Sequence, residues 1–322
     1  MSARPTVVVT RRLPPPVEQR LRSLFDARLN AADAPLDDAA LAGAMRDADA
    51  LLPTVTDRIT ADLFGTPGRR VRIVSTFGVG YNNIDVAAAR RNGVIVTNTP
   101  DVLTDDTADL AITLLLMVAR RTGEGERLVR AGAWTGWRPT QMLGTRVAGK
   151  TLGLIGFGRI GRAVAARARG GFRMRVLWHD PSPGDDAASL GAERRRSIEE
   201  VLHESDFVSL HCPATPDTKH LMNAERLAAM RPGAFLINTA RGDVVDEAAL
   251  VRALQERTIA GAGLDVYERE PSVSRELLAM DNVVLLPHLG SATDETRVAM
   301  GNRAVDNLAA FFDGGAPLDR VA

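Results

Sequence analysis

The sequence has little cysteine, no net charge and no long apolar run, and each shortage excludes a class of protein. Cys212 is the only cysteine among 322 residues, so no disulfide forms within the chain, and a reducing cytoplasm is indicated. Forty basic and forty acidic side chains cancel, which argues against partnership with nucleic acid or an anionic membrane. The longest apolar run, residues 111–119, is far below the roughly 18 residues of a membrane span.

The N-terminal stretch before Arg11 and Arg12 contains an apolar run too short for the core of a signal peptide. The four histidines other than His288 show no metal-ligand spacing, so no metal site is predicted. No Gly-x-Ser-x-Gly motif supports acyl transfer. We therefore expect a soluble cytoplasmic protein without metal or acyl-transfer chemistry.

A glycine-rich stretch in the middle of the chain carries the strongest functional pattern. Residues 151–155 form a short apolar run, typical of a strand buried on both faces of a parallel sheet. Gly156-Phe157-Gly158-Arg159-Ile160-Gly161 follows at once and opens a helical pattern rich in Ala and Arg. Asp180 closes the next strand, about 20 residues beyond the last glycine. This strand–turn–helix–strand context predicts a dinucleotide-binding site.

Each residue of this pattern has a physical task. Gly156 allows a tight turn, Gly158 lets a pyrophosphate approach the backbone, and Gly161 lets the helix pack closely on its strand. Asp180 would accept hydrogen bonds from the ribose hydroxyls and repel a 2′-phosphate, which favours NAD while leaving NADP possible. A basic run at residues 194–196 is expected to form a solvated start of the following helix.

Elsewhere the chain alternates short apolar runs with helical patterns, which indicates parallel sheets joined by helical crossovers. The predicted fold is α/β, with two Rossmann-like domains. A doubly wound nucleotide-binding domain, residues 99–290, is inserted into a smaller, flavodoxin-like substrate domain of residues 1–98 and 291–322. Residues 127–149 are expected to be irregular. Predicted strands cover residues 6–9, 50–54, 71–75, 94–97, 207–211, 234–238, 261–266 and 283–286, and predicted helices 17–25, 37–46, 60–64, 84–92, 104–120, 197–205, 246–257 and 293–312.

Three side chains near predicted strand ends suit acid–base and anion chemistry. Arg241 follows a buried strand, where a planar guanidinium can grip a carboxylate bidentately. His288 follows another strand, and imidazole is the side chain best suited to proton exchange near neutral pH. Glu270 can pair with it. Taken singly, each also suits a structural salt bridge, a packed histidine or a solvated loop acid.

Several separated motifs accompany the glycine-rich stretch. They are Val79-Gly80-Tyr81-Asn82-Asn83-Ile84-Asp85, Asn238-Thr239-Ala240-Arg241-Gly242, Leu264-Asp265-Val266-Tyr267-Glu268-Arg269-Glu270-Pro271 and Pro287-His288-Leu289-Gly290. Together they resemble the D-isomer-specific 2-hydroxyacid dehydrogenases, and the resemblance covers nearly the whole chain. A further short motif, Gly136-Trp137-Arg138-Pro139, is similar to the glyoxylate and hydroxypyruvate reductase branch.

The resemblance implies an NAD(P)-dependent reductase of small 2-keto acids, glyoxylate or hydroxypyruvate foremost, giving the D-2-hydroxy acid. It implies catalytic roles for Arg241, Glu270 and His288, with His288 as proton donor. It implies substrate contacts from Val79 and Gly80, together with Arg241 and His288, and a homodimer formed through residues 127–149. The implied cofactor contacts come from Thr107, Gly156, Gly158, Arg159, Ile160, Gly161, Asp180, Thr239, Ala240 and Asp265.

Apart from the resemblance, the position of Thr107 is equally typical of a residue that stabilises the first turn of its helix. The position of Asp265 is equally typical of a residue that caps a loop. The pattern at Val79 and Gly80 predicts a turn before a helix. Within the superfamily, a phosphoglycerate or D-lactate dehydrogenase is an open alternative, although a chain ending at Ala322 would lack the regulatory domain of many phosphoglycerate enzymes. A non-catalytic NAD(H)-sensing corepressor is the alternative from another class.

Overall fold

The computed structural model describes residues 4–182 and 191–321, and the chain packs into two units. The first unit comprises Met1–Leu103 and Ser291–Ala322, and the second is the intervening segment Thr104–Gly290. The second unit is therefore inserted in the chain of the first. The alternation of strands and helices predicted from the sequence is present in both units, and the predicted α/β fold is confirmed.

The first boundary lies after Leu103, later in the chain than the predicted position after residue 98. Residues 98 and 99 still bond within the first unit, since the backbone N–H of Asn98 donates to Asp319 and that of Thr99 to Gly78. An Asn-Thr-Pro interruption marks the end of a strand, but it does not mark the point where the chain leaves its domain.

The first unit is a five-stranded parallel sheet flanked by helices. Its strand order is β2-β1-β3-β4-β5, the doubly wound flavodoxin-like order. Its elements in chain order are β1 Thr6–Val9, α1 Pro15–Leu24, β2 Asp26–Arg28, α2 Asp38–Asp47, β3 Ala50–Leu52, α3 Ala61–Phe64, β4 Ile73–Ser75, α4 Val86–Arg91, β5 Ile95–Thr97 and, after the insertion, α12 Asp294–Phe312.

Two helices of this unit, α2 and α4, begin at capping carboxylates. Asp37 accepts a hydrogen bond from the backbone N–H of Ala40 at 2.8 Å, and Asp85 accepts one from that of Ala88 at 2.7 Å. Each carboxylate satisfies a backbone donor that the first helical turn cannot pair internally. The central strands β3 and β4 are buried throughout, which explains why apolar residues dominate both.

The second unit is a seven-stranded parallel sheet in the order β12-β11-β10-β9-β6-β7-β8. Its elements in chain order are α5 Thr104–Ala119, α6 Thr122–Arg130, β6 Thr151–Ile155, α7 Arg159–Phe172, β7 Arg175–His179, β8 Glu193–Arg194, α8 Ile198–Glu204, β9 Phe207–Leu210, α9 Ala224–Ala228, β10 Phe235–Asn238, α10 Glu247–Gln255, β11 Gly261–Leu264, α11 Arg275–Leu278 and β12 Val283–Leu285. The strand order reverses between β6 and β9. In open α/β sheets ligands bind outside the carboxyl ends of the strands at this switch point.

Two hydrophobic clusters make the core of the second unit. One contains side chains of α5 and α7, including Leu115 and Val164, together with Trp178 of β7. The other contains side chains from β9, β10 and α10, such as Leu210 and Leu250. Within the described part of the chain, no helix combines the length and the apolar character needed to cross a membrane.

Two sequence-based expectations in the second unit are wrong, and two edge strands of the fold were not predicted. Residues 127–149 are not irregular throughout, since α6 extends to Arg130; its glycines lower helix propensity, and its large apolar residues, Leu128 and Val129, are adjacent and so form no apolar stripe. The basic run at residues 194–196 does not begin a helix, because Arg194 ends β8 and the next helix begins at Ile198. Strands β2 and β8 lie at sheet edges, where short polar sequences carry little strand pattern.

Candidate active site

The three candidate catalytic side chains follow three neighbouring strands of the seven-stranded sheet. Arg241 comes shortly after β10, Glu270 follows β11, and His288 follows β12. These strands pair in parallel, so their carboxyl ends meet at one edge of the sheet. That edge is where ligands gather in open α/β proteins.

His288 and Glu270 form a hydrogen-bonded pair. His288 Nδ1 lies 2.8 Å from Glu270 Oε2, and the other carboxylate oxygen accepts the backbone N–H of Tyr267 at 3.0 Å. Burial acts to raise the pKa of Glu270, but the hydrogen bond and charge of His288 and the Tyr267 amide outweigh it and hold that pKa below its ordinary value. Both side chains remain about one-third exposed, at 31% and 34%. The pair is thus an ionised carboxylate holding an accessible imidazole.

Asp265 fixes the loop that carries His288. Its two carboxylate oxygens accept the backbone N–H groups of Leu289, at 2.6 Å, and Gly290, at 2.8 Å. Its own backbone oxygen accepts the N–H of His288 at 2.9 Å. His288 is held at φ +56°, a conformation uncommon for residues other than glycine. Burial raises the Asp265 pKa, and the amide bonds of the loop and the charge of His288 oppose that shift.

Thr107 reaches the same loop from the first turn of α5. Its buried hydroxyl donates to the backbone oxygen of Gly290 at 2.9 Å. Thr107 and Asp265 therefore hold Gly290 from both of its peptide groups. The hydrogen bonds of Asp265 fit the alternative in which it caps a loop. Nicotinamide contacts from Thr107 and Asp265 remain predictions.

The turn that presents Arg241 is braced by Asn238. The Asn238 amide donates to the backbone oxygen of Arg241 at 2.8 Å, and its oxygen accepts the N–H of Ala240 at 3.0 Å. Directly after Arg241, Gly242 packs so tightly that a Cβ there would overlap the Tyr267 backbone. Burial lowers the pKa of the Arg241 guanidinium below its ordinary value, against the charges of Glu270 and Asp243. The guanidinium thus lies within the electrostatic field of the Glu270 carboxylate.

The glycine-rich motif has the geometry that its sequence predicts. Gly156 has φ +92°, and a Cβ there would lie 2.6 Å from the backbone nitrogen of Cys212. A Cβ on Gly161 would lie 2.5 Å from the backbone oxygen of Gly156, so the helix packs against the turn. A Cβ on Gly158 would meet no atom of the described residues within 4 Å, and Arg159 opens the 14-residue helix α7. This exposed backbone before a helix start suits a pyrophosphate.

Asp180 and Thr239 complete the described part of the nucleotide site. Asp180 Oδ2 accepts the backbone N–H of Phe157 at 2.7 Å, and Oδ1 accepts that of Ser182 at 2.9 Å. Each carboxylate oxygen keeps a second lone pair for a ribose hydroxyl. The Thr239 hydroxyl is buried after β10 and has no hydrogen-bond partner among residues 4–182 and 191–321. An orphaned buried hydroxyl and an uncovered glycine backbone both fit a bound dinucleotide.

The remaining predicted residues are placed as follows. Ile160 and Ala240 are half-buried, at the start of α7 and after β10. Val79 and Gly80 belong to the first unit, in the loop between β4 and α4, where Asn98 Nδ2 donates to the Val79 oxygen at 2.9 Å. The substrate contact predicted for Val79 and Gly80 remains a prediction.

Sequence reasoning missed the bracing roles of Asn238 and Tyr267. Asn238 had an available signal, because Asn after a strand often bonds to the backbone two or three residues on. Tyr267 acts on Glu270 through its backbone N–H, which no side-chain pattern announces. Its hydroxyl is also committed, since it donates to the Leu286 oxygen at 2.9 Å.

Other reactive groups in the second unit lack support for chemistry. Burial lowers the pKa of His211 to about 4, and burial raises the pKa of the Cys212 thiol to about 11. A cavity of about 410 Å³ opens at the amino ends of β10 and β12, beside Phe235 and Val283, at the opposite edge from His288. In residues 4–182 and 191–321 no group of three or more His, Cys, Asp and Glu is placed to hold a metal ion.

Comparison with known proteins agrees with this geometry. Residues 112–290 match the family described as D-isomer specific 2-hydroxyacid dehydrogenase, NAD binding domain. A glyoxylate reductase of Thermococcus kodakarensis is 48% identical over 319 residues, which cover 98% of this chain and 95% of the relative. The matched family region lies wholly within the second unit, which is therefore an NAD-binding domain.

Solved structures of related enzymes share the fold over the whole chain. An NADPH-dependent glyoxylate/hydroxypyruvate reductase of Sinorhizobium meliloti, in complex with NADP and malonate, is 40% identical with a TM-score of 0.88, covering 99% of this chain and 97% of that one. D-mandelate dehydrogenase of Rhodotorula graminis is 29% identical with a TM-score of 0.85, covering 99% and 98%. Sequence motifs, fold and site geometry thus agree: the chain belongs to the D-isomer specific 2-hydroxyacid dehydrogenase family.

Proposed function

We propose that this protein reduces a small 2-keto acid, glyoxylate or hydroxypyruvate foremost, to the D-2-hydroxy acid. The observation that carries the proposal is the His288–Glu270 pair, 2.8 Å apart, at the same sheet edge as the turn of Arg241. An anion-binding guanidinium next to a proton donor is what reduction of a carbonyl beside a carboxylate requires. Relatives named glyoxylate reductase support this choice of substrate.

In the proposed mechanism, Arg241 binds the substrate carboxylate and polarises the neighbouring carbonyl oxygen. A reduced nicotinamide dinucleotide, when bound, supplies the hydride for the carbonyl carbon. His288 binds Glu270 through Nδ1, so Nε2 on the other side of the ring is the atom that donates the proton to the carbonyl oxygen. Glu270 holds the ring in place and stabilises its protonated form before transfer.

Asp180 leads us to propose NADH as the preferred cofactor, with NADPH also accepted. A carboxylate at the end of β7 accepts hydrogen bonds from free ribose hydroxyls and repels a phosphate at the 2′ position. At an effective dielectric near 20, unit charges about 4 Å apart interact by roughly 4 kcal/mol, an upper figure that solvent reduces. A residual of about 1.4 kcal/mol would give about a tenfold preference.

We further propose a homodimer formed through residues 127–149, located in the cytoplasm. Large apolar side chains gather in this part of the chain at high exposure, among them Trp134 at 54%, Trp137 at 79% and Leu143 at 68%. Exposed apolar clusters of this kind are typical of protein interfaces. The single cysteine, Cys212, suits a reducing compartment. A monomer mass by light scattering at working concentration would refute the dimer.

The test of the function is a substrate panel scored by kcat/KM with both NADH and NADPH. The panel contains glyoxylate, hydroxypyruvate, pyruvate, phosphohydroxypyruvate and phenylglyoxylate. We expect glyoxylate or hydroxypyruvate to be reduced most efficiently, because each already supplies the carboxylate that Arg241 binds and the carbonyl oxygen that His288 protonates. A higher kcat/KM for phosphohydroxypyruvate or pyruvate would indicate that the protein is a phosphoglycerate or D-lactate dehydrogenase, respectively. Absence of turnover despite cofactor binding would favour a nucleotide sensor.

A further inference from the structure

The strand next to Asp180 carries a positive charge at the same end of the sheet. Arg194 is the last residue of β8 and lies in register with Trp178 of β7. Its guanidinium carbon is 5.4 Å from the centroid of the Trp178 ring, and its Nη2 is 3.4 Å from the backbone oxygen of Asp180. The guanidinium of Arg194 therefore lies beside the carboxyl end of β7, which Asp180 directly follows.

The other two arginines of the run are placed differently. Arg195 pairs with Glu193, with Nη2 and Oε2 3.1 Å apart, and with Glu204, with Nε and Oε1 2.6 Å apart. Arg196 follows the strand as an exposed residue whose backbone N–H donates to Glu200 at 2.9 Å. Arg195 is thus committed to structural ion pairs, and Arg196 provides a nearby side chain of the same type and charge for comparison.

Arg194 is also connected to the glycine-rich motif. The Trp178 ring beneath its guanidinium stacks on Phe157, with centroids 4.4 Å apart and planes 11° apart. Phe157 lies within the motif, and its N–H donates to Asp180. An adenosine ribose bound between the motif and Asp180 therefore lies near a carboxylate on β7 and a guanidinium from β8.

We propose that Arg194 recognises the 2′-phosphate of NADPH, so that Asp180 sets a preference for NADH and Arg194 limits it. A guanidinium binds phosphate oxygens bidentately and remains charged at every working pH. An acid alone at this position predicts a stronger preference for NADH than an acid flanked by this arginine. The proposal rests on the proposed function only in that the glycine-rich motif holds the cofactor.

Its test compares the binding of two adenosine fragments by isothermal titration calorimetry, without substrate or turnover. The fragments are 5′-AMP and 2′,5′-ADP, which differ by the 2′-phosphate. The proteins are the wild type, R194Q, R194K and the matched control R196Q. We expect R194Q to weaken 2′,5′-ADP at least about tenfold and 5′-AMP less than about twofold, which corresponds to about 1.4 kcal/mol lost on the phosphate alone. R194K should retain part of the affinity, and R196Q should match the wild type.

A double variant tests whether the two charges act on the same group. D180S should strengthen 2′,5′-ADP binding, and adding R194Q to D180S should remove most of that gain. The ratio of kcat/KM for NADPH to that for NADH should follow the same order across the variants. Addition of salt should weaken 2′,5′-ADP more than 5′-AMP in the wild type, because an exposed ion pair is screened.

Three results would overturn the proposal: equal weakening of both fragments by R194Q, no change in either, or the same loss in R196Q. If the wild type binds both fragments but reduces no keto acid, the proposed function is wrong and the role of Arg194 is unaffected. If the protein reduces glyoxylate but R194Q does not change the affinity for 2′,5′-ADP, the role of Arg194 is wrong and the proposed function is unaffected. The two conclusions therefore fail separately.

Discussion

The carboxyl edge of the seven-stranded sheet has two halves that are constructed differently. At the ends of β10, β11 and β12 the loops interlock: Asp265 binds two backbone amides of the His288 loop, and Gly242 packs against the Tyr267 backbone without room for a Cβ. In the half formed by β6, β7 and β8, the backbone at Gly158 is open, since no atom of the described residues lies within 4 Å of a Cβ there.

The difference follows from what each half must do. Proton transfer requires a ring held within a few tenths of an ångström, and such precision comes from many simultaneous contacts. A nucleotide site needs exposed backbone and a few charges at its end, which can change without disturbing the fold. We therefore expect substitutions in the β10–β12 half to alter rate and stability together, and those in the β6–β8 half to alter ligand choice.

The largest expected effect is that of His288→Gln. General acid–base catalysis contributes about a hundred- to ten-thousand-fold, so kcat for keto-acid reduction should fall within that range while NADH binding is retained. The matched control is His220→Gln, because His220 forms a similar pair with Glu268 at 2.9 Å within the same domain. A fall of less than about tenfold in His288→Gln, or an equal fall in both variants, would contradict the role of His288.

The same substitution at two glycines contrasts the halves directly. Gly242→Ala forces the backbone around Tyr267 to move, and overpacking of this kind destabilises by about 3 kcal/mol. In a domain of this size that lowers Tm by about 6–12 °C, measured by calorimetry. Gly158→Ala should leave Tm of the unliganded protein nearly unchanged and raise KM for NADH. Equal Tm values for the two variants would remove the contrast between the halves.

Glu270→Gln should shift the pH–rate profile more than it lowers the maximum rate. The ionised carboxylate, whose pKa lies below its ordinary value, favours the protonated imidazole. Removal of that negative charge should therefore move the alkaline limb for reduction acidward. The control is Glu268→Gln, which should leave the limb in place. Titrated kinetics with an unmoved limb in Glu270→Gln would show that the pairing has no part in proton transfer.

The smallest expected effect concerns Cys212, which touches the turn of the glycine-rich motif. Burial raises the pKa of its thiol to about 11, so almost no thiolate exists near neutral pH. We expect iodoacetamide to leave the folded protein unmodified in intact mass, and to modify it fully after denaturation. Rapid labelling of the native protein would mean that the motif opens in solution.

The sequence could predict the elements that pattern and spacing define, and it failed where contacts between distant loops decide. The glycine-rich motif and Asp180 carry their geometry in local spacing, and the structure agrees with it. The loop hydrogen bonds of Asp265 depend on where Leu289 and Gly290 fold back, which no local pattern contains. Helix α6 was missed because its large apolar residues, Leu128 and Val129, are adjacent and form no stripe at helical spacing.

The hydrogen bond from Thr107 to Gly290 has a consequence for how this protein can be re-engineered. It joins the first turn of the inserted segment to its last residue, so the segment's two ends lie side by side. Segments with adjacent ends can be exchanged as a cassette without long linkers. A chimera that receives a relative's cassette between Leu103 and Ser291 would acquire a new nucleotide preference in one recombination step, with the five-stranded unit unchanged.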